Sequence, residues 1–165
     1  MNLMTTVDLY AGGPGSGCRG DSCGRKKGSL AEAQALATEA HKGQLDKSGF
    51  AYIAHPQRVS ESLKEHGEAA MIVGILHDVV EDTKVTLQEV EQQFGKQIAE
   101  AVDAVSQRKG EKYFDYIRRV SQNPLARLVK IADIHDNMLP SRRLGRSLES
   151  LMKRYGKALE MLTND

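Results

Sequence analysis

Cysteine is nearly absent: Cys18 and Cys23 are the only two in 165 residues. That is too few for a disulfide framework, so a reducing, cytoplasmic setting is expected. It also excludes a structural zinc site built on these cysteines alone, because such sites take four ligands. The two are read as free thiols, with a small disulfide loop or a share in a partner's site as alternatives. Long apolar runs are missing too. None approaches the roughly 18–20 residues of a membrane span, and the N-terminus lacks the basic start and apolar core of a secretory signal. No membrane association is therefore expected. Alternating strand patterns and hairpin signals are absent as well, which leaves helices. Aromatics make up only 5% of the chain and do not interleave with the basic patch Arg142, Arg143 and Arg146, so no nucleic-acid partner is expected.

What is present reads as one soluble domain with a single core, at 40% hydrophobic and 27% charged residues. Residues 11–28 hold seven glycines and one proline and cannot bury enough apolar surface to offset their ordering entropy. Residues 1–28 are accordingly expected to be a flexible glycine-rich arm, similar to glycine-rich stretches on phage-encoded proteins, and residues 29–165 the folded domain. The formal net charge of +1 hides a division. Residues 29–100 carry 6 Lys and Arg against 12 Asp and Glu, and residues 101–165 carry 13 against 8. An acidic segment followed by a basic one suits a cation site facing an anionic ligand; two ordinary solvated faces would give the same counts.

The helical period dominates from Ser29, an N-cap with Glu32 three residues on. Val59, Leu63 and His66 share a face. So do Leu87, Val90 and Phe94 after the capping pair Thr86 and Glu89, then Ile98, Val102 and Val105, and Tyr113, Ile117 and Val120. A long last helix carries Leu144, Leu148, Leu151, Tyr155 and Leu162. Pro56 and Pro124 suit first-turn positions. The spacing predicts an all-α bundle of about seven helices.

Within it, Ala69 to Leu76 is an almost uninterrupted apolar run that ends in His77-Asp78. A helix apolar on most faces belongs in the middle of a fold, where an unpartnered carboxylate costs several kcal/mol. His55, just before Pro56, and Asp133, inside the apolar run Leu128–Ile134, complete a candidate set. Two imidazoles and two carboxylates suit a divalent cation such as manganese, iron or zinc. Plain alternatives stand beside each: a capping His55, a buried His77–Asp78 hydrogen bond, an Asp133–Lys130 ion pair. If the helix continues, Glu81 falls on the face of His77 and Asp82 on that of Asp78. Crowded carboxylates push pKa values apart, as general acid–base work requires; Glu81 and Asp82 could equally cap the next turn.

The segments A-H-K-G-Q (40–44), K-S-G-F-A-Y-I-A-H-P (47–56), L-H-D-V-V-E-D-T (76–83), F-G (94–95) and V-K-I-A-D-I-H-D-N-M (129–138), with R-K-G-E-K-Y-F-D-Y-I (108–117) and N-P-L-A-R (123–127), occur in order. Together they resemble the HD hydrolase domain of the RelA/SpoT family, in its small stand-alone form. The resemblance implies an all-helical HD fold and one bound manganese or other divalent ion, held by His55, His77, Asp78 and Asp133. It implies Glu81 and Asp82 as the acids that position or activate water, and Lys47, Ser48 and Asn137 as substrate contacts. The implied reaction is hydrolysis of (p)ppGpp at its 3′ position to GDP or GTP and pyrophosphate.

The chain also departs from that pattern. Asp46 stands where full-length members commonly place an arginine that packs on guanine, Ile134-His135-Asp136 replaces an arginine–leucine–histidine run, and Leu139 replaces another arginine. Asp46 favours a second reading, a phosphatase of NADPH or a nucleoside monophosphate; a non-catalytic nucleotide-binding accessory protein is a third. Among further candidates, Arg108, Lys109 and Lys112 precede a helix and could hold phosphates. Arg142, Arg143 and Arg146 form a basic patch, His41 and His66 read as packed helix-end residues, and Tyr113 and Tyr116 as core or rim. His135 points away from Asp133 by its two-residue offset. Homo-oligomerisation stays open.

Overall fold

A computed structural model describes residues 27–140 and 148–164. The expectations for residues 1–26 of the glycine-rich arm, with Cys18 and Cys23, and for Arg142, Arg143, Leu144 and Arg146 lie outside the described residues; Gly28, at the arm's expected end, donates its N–H to Gln93 O (2.8 Å). Within the described residues the chain is all-α, and its β-pairing is an isolated bridge between Leu45 and Ala51. The α-helices are α1 (Leu30–Ala40), α2 (Ala54–Ser62), α3 (Glu68–Leu76), α4 (Val79–Asp82), α5 (Leu87–Phe94), α6 (Lys96–Val105), α7 (Tyr113–Ser121), α8 (Pro124–Asn137) and α9 (Leu148–Thr163). The described count exceeds about seven partly because α4 is a single turn that follows closely on α3.

Two starts are fixed by reciprocal caps. Ser29 and Glu32 close the first turn of α1, and Thr86 and Glu89 close that of α5, each satisfying backbone donors that have no partner inside the helix. Asn123 caps α8 with Pro124 in its first turn. Helix α2 starts earlier than Pro56 suggests. It begins at Ala54, so His55 lies inside its first turn, where proline is tolerated because the first N–H groups need no helical acceptor. His66 does not share the buried face of Val59 and Leu63. Helix α2 stops at Ser62, and His66 ends a separate exposed 3-10 turn, Lys64–His66.

Helix α3 is the axis of the fold, packed by α1, α2, α6 and α8. Val73, Ile75 and Leu76 are fully buried, each worth about 1.5–3 kcal/mol relative to exposure. Gly74 sets how closely α2 approaches. A β-carbon there would lie 3.0 Å from Cα of Ser60, and the Ser60 hydroxyl donates to Met71 O across the same contact (2.9 Å). The two helices that carry His55 and His77 therefore meet backbone to backbone.

Candidate metal centre and cleft

His77 and Asp78 occupy the break between α3 and α4, the helix-end placement that adjacent ligands need if both are to face one ion. The His77 Nδ1–H donates to Gly74 O at 2.7 Å, which leaves Nε2 as the nitrogen with the lone pair. That Nε2 is buried and has no hydrogen-bond partner, yet Asp78 Oδ2 lies 3.0 Å from it and Asp133 Oδ1 3.8 Å from it. His55 Nε2 stands 3.1 Å from Asp133 Oδ1 and 3.7 Å from Asp78 Oδ2. The ligand atoms of His55, His77 and Asp78 all fall within 4.8 Å of one another.

Electron-rich atoms brought this close repel unless a proton or a metal cation lies among them. Ligands about 2.1 Å from one ion sit roughly 3–3.5 Å from each other, and the spacing here is of that order. Burial opposes a positive charge on His77, but Asp78 and Asp133 carry its pKa up to about 9. The same negative potential favours a divalent ion. Burial works against the charge on Asp78 and Asp133 as well, yet His77 holds the former and Lys130 the latter below the ordinary carboxylate range. The residues fit a divalent cation of the borderline or hard kind. His55, His77, Asp78 and Asp133 are the four that could hold it.

One plain alternative, the Asp133–Lys130 ion pair, coexists with this arrangement. Lys130 Nζ donates to Asp133 Oδ2 (2.8 Å), so the ion pair is present while Oδ1 faces the imidazoles. Asn137 Nδ2 donates to that Oδ1 at 2.6 Å, fixing the carboxylate from the next turn of α8. The Tyr52 hydroxyl donates to Asp78 Oδ2 (2.6 Å) and approaches Asp82 Oδ2 (3.3 Å).

The cluster opens into a cleft of about 420 Å³. Glu81 and Asp82 line it from α4. Burial, then neighbouring Asp78, raises both above their ordinary values, against hydrogen bonds that lower them. Glu81 Oε2 accepts the backbone N–H of Gln107 (2.9 Å). Lys47, Ser48 and Asn137 also line the cleft. Arg108 and Lys109 do not: both are exposed on the α6–α7 connection, and Arg108 Nη2 pairs with Asp103 Oδ2 at 3.2 Å. Asp46 is at the cleft, where its Oδ1 accepts the N–H groups of Ser48 (2.8 Å) and Phe50 (3.0 Å). It thus shapes the loop as well as adding charge.

Sequence reasoning missed part of the far wall. Arg154 of α9 lies 4.0 Å over the ring of Tyr113 and lines the cleft with Tyr155, Tyr116 and Gln107. The Tyr155 spacing marked it as a core residue, which it is at 7% exposure; nothing local shows that α9 packs on α7 beside the cluster. Asp136 of α8, the carboxylate shared by His55 and Arg58, is equally hidden. His41 caps α1, with Nδ1 bonded to Gln44 (2.8 Å), and His135 is exposed on the opposite face of α8.

This helical frame and its two-imidazole, two-carboxylate cluster define a class of protein, and the sequence comparison agrees. The profile of the HD domain family matches residues 33–134, well over half the chain, and the chain belongs to that family. It is similar to the bifunctional (p)ppGpp synthase/hydrolase SpoT of Escherichia coli (strain K12), 36% identical over 122 residues that cover 66% of this chain and 17% of that protein. It is also similar to a GTP pyrophosphokinase of Streptomyces coelicolor, 32% identical over 143 residues that cover 80% of this chain and 17% of that one. The chain thus spans about a sixth of the length of these relatives. A solved structure, described as a metazoan ortholog of SpoT that hydrolyzes ppGpp and plays a role in starvation responses, matches with a TM-score of 0.68 at 24% identity, over 81% of this chain and 85% of that one. At that identity the likeness is one of fold. Among the described residues no helix is long and apolar enough to cross a membrane.

Proposed function

We propose that the chain is a metal-dependent phosphohydrolase of a phosphorylated nucleotide, with (p)ppGpp as substrate and GDP or GTP and pyrophosphate as products. The observation that carries this reading is the convergence of buried His55 and His77 with Asp78 and Asp133, three of which line a cleft together with the further acids Glu81 and Asp82. Similarity to proteins named as (p)ppGpp hydrolases supports the choice of substrate. Manganese is the proposed ion, one per chain, with His55, His77, Asp78 and Asp133 as its ligands. When bound, it supplies Lewis acidity toward a phosphoryl oxygen.

The chain's own residues do the rest. Glu81 or Asp82, each more basic than a free surface acid, takes one proton of the attacking water and returns it to the ribose 3′ oxygen as that oxygen's bond to phosphorus breaks. Asn137 and Lys130 hold Asp133 in place from α8. Arg154 and Lys47 meet the substrate's negative charge from opposite walls.

Purified protein with manganese should release pyrophosphate from ppGpp, and a chelator should stop the release. Glu81→Gln and Asp82→Asn should each lower turnover about 100-fold or more while ppGpp binding persists; unchanged turnover in both would reject their role. Asp46 in the cleft supports a second reading in which guanine is not preferred. Turnover of NADPH or a nucleoside monophosphate above that of ppGpp would establish it. Binding of all of these without turnover of any would leave a nucleotide-sequestering module.

A further inference from the structure

Behind His55, on the side away from the cleft, sits a carboxylate that the proposed chemistry does not use. Asp136 is buried, at 8% exposure, and its Oδ2 lies 2.7 Å from His55 Nδ1. A carboxylate held by a guanidinium can only accept, so Nδ1–H is the donor. Arg58, one turn along α2 from His55, grips the same carboxylate with two prongs, Nε to Oδ1 at 2.7 Å and Nη2 to Oδ2 at 3.0 Å. His77 has no counterpart: its Nδ1–H goes to a backbone carbonyl of its own helix.

Resting on the metal reading above, we propose that Asp136, clamped by Arg58, is the positioning residue that fixes the ring of His55 and turns it into a stronger cation ligand. Two effects act on the imidazole. A charged acceptor on Nδ1–H increases electron density at Nε2, which a neutral carbonyl does far less. The bidentate clamp then denies the carboxylate any other orientation, so the imidazole plane is set by α8 and α2 together. Asp136 lies three residues after Asp133 on α8 and so occupies a neighbouring position on that helix. One helix thereby supplies both a candidate ligand and the support for another. Arg58, with its side chain 45% exposed, reaches the pair from the solvent side and makes it a closed unit.

The test uses the full chain and manganese alone, with no nucleotide. Binding is measured by calorimetric titration, and the fold by thermal melting in chelator. Asp136→Asn should weaken manganese binding about 10- to 100-fold while the metal-free protein melts close to the wild type. Arg58→Gln leaves the carboxylate on His55 but unclamps it, and should weaken binding several-fold. If Asp136→Asn does not fold, Arg58→Gln alone decides: wild-type affinity in it overturns the proposal. Where both fold, wild-type affinity in Asp136→Asn overturns it and leaves the metal reading intact. A wild-type chain that binds no divalent ion overturns both. A purely structural role for Asp136 would lower the melting temperature without moving the affinity, and that result also overturns the proposal.

Discussion

Arg58 and Arg119 hold carboxylates in the same two-pronged way, and what each carboxylate touches next makes them different devices. Arg119 meets Glu111 through Nε to Oε1 (2.9 Å) and Nη2 to Oε2 (2.7 Å). Its remaining donors reach Asp103 O (3.0 Å), Ala104 O (3.1 Å) and Ser106 O (2.9 Å). These carbonyls lie at the end of α6, where the helix has no amides left to satisfy them. That fork closes a helix and ties the α6–α7 connection to α7. The Arg58 fork ends instead on an imidazole that faces the cleft. Ion-pair geometry alone thus says nothing about role; the third partner decides it.

Breaking the Arg119 fork should give the largest effect on stability. Arg119→Ala strips an ion pair and uncovers three carbonyls, which should cost about 3 kcal/mol, or roughly 6–12 °C in melting temperature for a chain of this size. Manganese binding at a temperature where the variant remains folded should match the wild type. Reduced affinity there would erase the distinction between the forks. Glu111→Gln should be milder, at about 1 kcal/mol near neutral pH, and its pH dependence sharpens the comparison. Hydrogen bonding to Arg119 holds Glu111 down to about 2, from an ordinary value of 4.5. The charged form is thus favoured by folding, and its contribution is complete above pH 4.5 and lost as pH falls toward 2. Denaturant midpoints of wild type and Glu111→Gln should separate at neutral pH and converge in that acid window; a constant gap would sink the assignment. The smallest stability effect belongs to Arg58→Gln. In chelator it should lose about 1 kcal/mol or less, as for partly exposed pairs. A loss as large as that of Arg119→Ala would make Arg58 a structural clamp like its counterpart.

The same contrast explains what could be read from the sequence. Caps at Ser29 and Thr86 depend on residues three apart, so a local pattern exposes them. The apolar run that ends at His77-Asp78 likewise announces a buried helix with polar groups at its tip. Charge clustering was a poorer guide. Arg108 and Lys109 read as phosphate holders, but the turn that carries them faces solvent, whereas Arg154 reaches the cleft because α9 packs on α7. The Asp136 links to His55 and Arg58 join residues 81 and 78 positions apart. No period encodes such a link; it exists only once α2 and α8 are side by side. Helix α2 also began before its proline, because a first turn tolerates proline at several positions.

Gly74 gives the candidate centre its jaw width. Because this residue has no side chain, α2 and α3 touch at Ser60, and the imidazole on each helix inherits that separation. A methyl group there would act as a shim. Gly74→Ala would wedge the jaws apart by a few tenths of an ångström while leaving every ligand chemically intact. Such a variant would be expected to shift its preference toward ions of larger radius, seen as a changed ratio of calcium to zinc affinity. An unchanged ratio would show that this contact does not set the spacing of the imidazoles.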